Sequence, residues 1–208
     1  MKKPYLISLS SYGEGSDRYL ASLSKLEDSV ELVNVEWEPY APLSVLGVSC
    51  QYHVRHHGPF PGCSYRLQYI PQYLDEDRWW IFADTWDIMF QRPIPDLDQF
   101  GADILVQYEG MSHAKNGVWR SHIAKLPEME NLLPLSVYCN GTIAMRGHLM
   151  KDLVAHMKRA NPNVWDQLNL NQWLIGKDYA DCPELSVALY RHGYTGVITK
   201  LSDGDFVW

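Results

Sequence analysis

Short apolar runs alternate along the chain with stretches of helical spacing. Tyr5-Leu6-Ile7-Ser8-Leu9 predicts a first strand, and the polar, Gly-containing residues 10–16 a turn. Leu20, Leu23 and Leu26 predict a helix over 17–26, and the valine-rich stretch 30–37 a second strand. Gly, Pro and His cluster over 42–61, which reads as irregular. Leu67, Ile70 and Leu74 predict a helix over 64–74 that Pro71 must distort. The unbroken run Trp79 to Phe82 predicts a strand at 78–82 buried on both faces, as in a parallel sheet. Pro93-Ile94-Pro95-Asp96 reads as a turn leading towards a short helix. Further strands are predicted at 102–108, ending at Glu109, and at 137–145. Helices are predicted over 149–159, from Leu149, Leu153 and Met157, and over 164–175. Residues 185–208 are mixed and expected to close over the site. Strands alternating with helices imply an α/β fold, a mostly parallel central sheet flanked by helices, in one domain over residues 1–208.

The pattern also shows where chemistry can sit. The buried run ends in Asp84-Thr85-Trp86-Asp87, two carboxylates three residues apart. Residues at that spacing on a regular strand face opposite ways, so both reach one ion only if Thr85-Trp86 turn the chain. The carboxyl ends of such strands are where open α/β sheets bind ligands, and paired hard oxygens suit Mg²⁺ or Mn²⁺ holding a phosphate. Carboxylates there also cap helices or face water. Asp166-Gln167 opens a helix, where the macrodipole favours an acid for purely structural reasons. His192, beside Gly193, can supply an imidazole to the same ion or lie in a solvated loop. Cys50, His53, His57 and Cys63 have loose zinc-site spacing without a second tight pair. A loop over the site, with Arg55, His56 and His57 as donors, is the competing reading.

Composition narrows this. The formal charge of -7 argues against a broad nucleic-acid-binding face, though not against a local basic patch. Eight tryptophans and 13 tyrosines suit stacking on rings or sugars as well as a large aromatic core. Four cysteines without a disulfide framework, and an N-terminus that runs straight into a strand, lead to an expectation of a cytoplasmic protein with no membrane span.

In order along the chain these segments resemble glycosyltransferases of the GT-A type, a Rossmann-like fold. The nearest likeness is to the glycosyltransferase domain of collagen lysyl hydroxylases and to family 25, with some family 8 likeness. The segments that carry it are Ile7 to Tyr12 with Asp17 to Leu20, Pro61 to Leu67, Phe82 to Phe90, Ile104 to Glu109, Tyr138 to Ile143, Asp166-Gln167 with Leu170-Asn171, and His192-Gly193 with Gly196. Ser64 stands where such a chain has a lysine and Cys139 where it has an asparagine, and the interval from Asp166 to His192 is short. The resemblance implies a metal-dependent transfer of a hexose from a nucleotide sugar, a UDP-sugar, to an acceptor hydroxyl. Asp84, Asp87 and His192 would hold Mn²⁺ or Mg²⁺. Ser10, Tyr12, Arg66, Asp84 and Asn140 would bind the donor, and Asp166 and Gln167 would serve catalysis. A hydroxymethylated base in viral DNA, a glycan or a protein side chain could be the acceptor. A non-catalytic sugar-nucleotide or glycan-binding domain, or a metal-dependent phosphohydrolase or nucleotidyltransferase, are the alternatives.

Overall fold

A computed structural model describes residues 2–10, 17–37, 52–57, 66–85, 88–90, 92–161, 163–182 and 188–189. The strands are β1 (Tyr5–Ser10), β2 (Glu31–Trp37), β3 (Tyr52–His56), β4 (Trp79–Ala83), β5 (Ile88–Met89), β6 (Ile104–Ser112), β7 (Ser136–Arg146), β8 (Ala180–Asp181) and β9 (Ala188–Leu189). The helices are α1 (Asp17–Ser22), α2 (Gly117–Ile123), α3 (Gly147–Arg159) and α4 (Asp166–Trp173).

Seven strands form one mixed sheet in the order β3-β2-β1-β4-β7-β6-β8. β1, β2, β3 and β4 are mutually parallel, and β7 runs antiparallel to both β4 and β6. The chain therefore builds outward from β1 to β3, then returns to lay β4 on the other side of β1. That reversal is a topological switch point, and the carboxyl ends of β1 and β4 flank it.

Alternation along the strands separates two cores. Tyr5, Ile7 and Leu9 share a face with Trp80, Phe82, Ile143 and Met145, covered by Met150, Leu153, Val154 and Met157 of α3 and by Leu170 and Trp173 of α4. Leu6, Ile81, Ala83 and Leu105 face the other way, against Tyr19 of α1, Phe90 and Leu97. A third cluster joins Trp119 and Ile123 of α2, Met129 and Leu132 of a 3-10 segment, Val137, Val164 and Leu168 of α4. Gly147 lets α3 start directly against the sheet. A Cβ there would lie 2.5 Å from both the Glu76 Cα and the Trp80 Nε1.

Two expectations need correction. The helix expected over 64–74 is only a 3-10 turn, Arg66–Tyr69, within the described residues. Pro71 has no amide hydrogen to continue a helix and disfavours helical geometry at Ile70. The run expected to be irregular contains β3, which pairs with β2 from Val33↔Tyr52 to Trp37↔His56. Its His and Arg residues concealed a short edge strand. The described part of β4, β6, β7, α3 and α4 lies close to its expected place. Among the described residues no helix is long and apolar enough to cross a membrane.

Candidate functional site at the switch point

Asp84 follows β4, whose five residues are all buried. Its amide donates to the Gly141 carbonyl at 2.6 Å, so pairing with β7 continues one residue beyond the strand and fixes the aspartate at the sheet edge. Asn140 precedes that glycine on β7 and is buried. Ser10 ends β1 across the switch point.

α4 supplies the other side. Asp166, Gln167, Asn169 and Asn171 are all at most 4% exposed. Burying so many polar side chains is unfavourable unless each finds a partner. Asn171 accepts from the Tyr138 amide at 2.8 Å and donates to the Tyr138 carbonyl at 2.8 Å and to the Gln167 carbonyl at 2.7 Å. Tyr138 lies on β7 past Thr142, the last residue to pair with β4, so a side-chain amide takes over where the neighbouring strand has ended. The Asn169 amide donates to the Val164 carbonyl at 3.3 Å. Those two asparagines fix the helix, whereas Asp166 and Gln167 engage groups from other elements. Gln167 Nε2 donates to Glu109 Oε1 at 2.6 Å.

Arg66 joins the two halves. Its Nε donates to Asp166 Oδ2 at 2.7 Å and its Nη1 to Asp84 Oδ2 at 2.5 Å. The guanidinium carbon lies 5.3 Å from the centre of the Phe82 ring. Arg66 and Asp166 are nearly inaccessible, while the Asp84 side chain keeps 18% of its surface exposed. One guanidinium faces two carboxylates in a poorly solvated place. Burial raises the Asp166 pKa, Arg66 opposes that, and the nearby Asp84 charge adds to the rise. The Asn140 side chain favours the ionised form of Asp166, yet among the described residues its Nδ2 has no partner at full hydrogen-bonding geometry. A buried amide in that condition is suited to a ligand oxygen.

The structure thus brings together Arg66, Asp84, Asn140, Asp166 and Gln167, with Ser10 at the end of the adjoining strand. Tyr12, Trp86, Asp87 and His192 lie outside the described residues, as do Cys50 and Cys63 of the zinc alternative. Among the described residues no three His, Cys, Asp or Glu side chains are grouped to hold a metal. The donor loop expected at Arg55, His56 and His57 is corrected in part. Arg55 and His56 belong to β3, and the His56 ring stacks on Trp37 at 5.1 Å and meets Tyr69 edge-on at 5.0 Å. Burial, then the neighbouring His57, lowers the His56 pKa. The Asn171 strand clamp and the Glu109–Gln167 pair were not foreseen as contacts. The density of Asp, Asn and Gln in a helix between apolar neighbours is the signal that points to them.

No family model and no curated protein matches the chain in sequence. In structure it is similar to the glycosyltransferase GlyE of Streptococcus pneumoniae TIGR4, with a TM-score of 0.50 and 12% identity over 88% of this chain and 45% of GlyE. The apo form of GlyE gives the same TM-score, identity and coverage. The chain spans less than half the length of the structures it resembles. The likeness establishes an α/β fold with a mixed sheet flanked by helices, similar to a glycosyltransferase structure.

Proposed function

We propose that the protein is a metal-dependent glycosyltransferase that moves a hexose from a UDP-sugar to an acceptor hydroxyl. The observation that carries this reading is the Arg66 bridge between Asp84 and Asp166 at the carboxyl edge of a switch-point sheet. A nucleotide diphosphate sugar needs cationic help at its phosphates and a polar group at its anomeric carbon, and this edge can present both. The fold likeness to GlyE agrees with that reading.

Asp84 would be one ligand of a hard divalent cation, since it is an oxygen donor at the sheet edge with part of its side chain open. Asp87 and His192 would complete the ligands. Leu189 pairs with Ile88, so the chain leading to His192 passes beside the residue that follows Asp87. When bound, Mn²⁺ or Mg²⁺ would supply Lewis-acid stabilisation of the leaving diphosphate. Arg66 would add positive charge at the leaving group. Ser10 and Tyr12 would contact the uridine, and the Asn140 amide would donate to the donor sugar. Gln167, held by Glu109, would orient the hexose. Asp166 would accept the proton of the acceptor hydroxyl as it attacks, a task for which its raised proton affinity is suited.

Release of UDP from a panel of UDP-sugars with Mn²⁺ tests this directly. Turnover should vanish with EDTA, return with added Mn²⁺, and fall by about a hundredfold or more in Asp84→Asn. Full activity of Asp84→Asn, or activity indifferent to EDTA, would refute the metal role. Donor binding without turnover on any acceptor would instead favour a sugar-nucleotide-binding module.

A further inference from the structure

A carboxylate oxygen accepts hydrogen bonds and donates none, whereas a carboxamide has one donating and one accepting end. Gln167 Nε2 therefore faces Glu109 Oε1, at 2.6 Å, and the amide oxygen of Gln167 is the end left over. Glu109 thus fixes the sense of a buried amide. Asn140 offers the opposite sense, since its Nδ2 has no partner at full hydrogen-bonding geometry among the described residues.

The backbone holds Glu109 in that place. Between Tyr108↔Tyr138 and Ser112↔Ser136, β6 advances four residues against two of β7. Such a bulge bends its strand and re-aims a side chain. Gly110, inside it, has φ 80°, a left-handed conformation that favours glycine. Tyr108, just before Glu109, is tied down as well. Its amide donates to Asp181 Oδ1 at 2.9 Å, and its ring lies 6.0 Å from that of Tyr138.

Contacts place this pair at the site. β4 and β6 are each antiparallel to β7, so Asp84 and Glu109 lie towards the same edge of the sheet. Asp166 bonds Arg66 and interacts with Asn140 of β7, while Gln167 bonds Glu109 of the next strand, β6. The first turn of α4 therefore reaches two neighbouring strands at that edge.

We propose that Glu109 is a positioning residue that sets donor specificity: it holds Gln167 with Oε1 towards the donor hexose, so the sugar must place a hydroxyl donor opposite that oxygen. The proposal rests on the transferase reading and names the group by which the site recognises its UDP-sugar. A fluorine or a carboxylate in the same place would set acceptor against acceptor.

The test is calorimetric binding, with Mn²⁺, of UDP-glucose, UDP-galactose and their monodeoxyfluoro analogues at each hydroxyl-bearing carbon. Fluorine keeps the size and an accepting end but cannot donate. With the unmodified chain, fluorine at one position at least should weaken binding by about tenfold. In Glu109→Gln the neighbour can donate or accept, so Gln167 is free to turn its Nε2 outward. The same fluorine should then cost about twofold or less. A purely structural role for Glu109 would weaken every analogue by one factor and leave the ratio unchanged. A measurement on the unmodified protein covers the case in which Glu109→Gln does not fold. The Gln167 NH2 protons should keep their nuclear Overhauser contact with the Glu109 methylenes when the UDP-sugar binds. The proposal is overturned if no position is sensitive to fluorine, if the penalty is equal in both proteins, or if that contact is lost on binding. Any of these, with UDP release intact, removes it and leaves the transferase reading standing. Failure of both UDP-sugars to bind removes the transferase reading, and this proposal with it.

Discussion

Burial and Arg66 act on Asp166 in opposite directions, and burial prevails, so its proton affinity rises. A carboxyl raised in this way contributes stability that is fully present below its unfolded pKa and is lost as pH rises through the folded one. Asp166→Asn removes that loss and leaves the Arg66–Asp84 ion pair in place. In urea titrations from pH 4 to pH 8, the stability of Asp166→Asn relative to the natural chain should therefore increase with pH. The same variant should turn over about 10² to 10⁴-fold more slowly while binding donor nearly as well. A wild-type rate would exclude Asp166 from the proton transfer. Much of this was legible in the residues: Asp84 and Asp166 stand out as acids beside apolar runs. That both are bonded to Arg66 was not, because the partners are separated by 18 and 100 residues and a local pattern carries no information about that meeting.

At the scale of elements, α4 and the edge of β7 depend on each other through Asn171. Truncating it to alanine leaves the Tyr138 amide and carbonyl without their side-chain partner. Asn171→Ala should destabilise the protein by about 1–3 kcal/mol, read from urea melts. It should also increase amide exchange at Tyr138 more than in β1 or β2. Uniform loss across the sheet would mean that the clamp is not local. The apolar runs located β4 and β7, and the four-residue spacing located α3, because burial and period are written in consecutive residues. The pattern missed β3, a short edge strand with few apolar positions, and it extended the 3-10 turn at Arg66 into a helix that Pro71 does not permit.

For the whole molecule, the return of the chain from β3 to β4 is what creates the site, since it opens the edge between Ser10 and Asp84. A ligand that binds this edge only in the folded state must raise the apparent stability of the entire domain. Under the proposed function, UDP and Mn²⁺ together should raise the melting temperature, Mn²⁺ alone should raise it less, and EDTA should cancel the gain. At a hundred times its dissociation constant, a ligand adds about 2.7 kcal/mol. An unchanged melting temperature at saturating UDP and Mn²⁺ would count against a donor site here. By itself the sequence determined the α/β class, the buried strand that ends at Asp84 and the polar start of α4, because burial and periodicity are properties of neighbouring residues. Only the tertiary structure decided that Arg66 bridges Asp84 and Asp166, that Asn171 closes β7, and that Trp165 packs against Trp119 and His122 of α2. Those pairings follow from sheet order and helix docking, where distant segments are brought together by the packing of the whole chain.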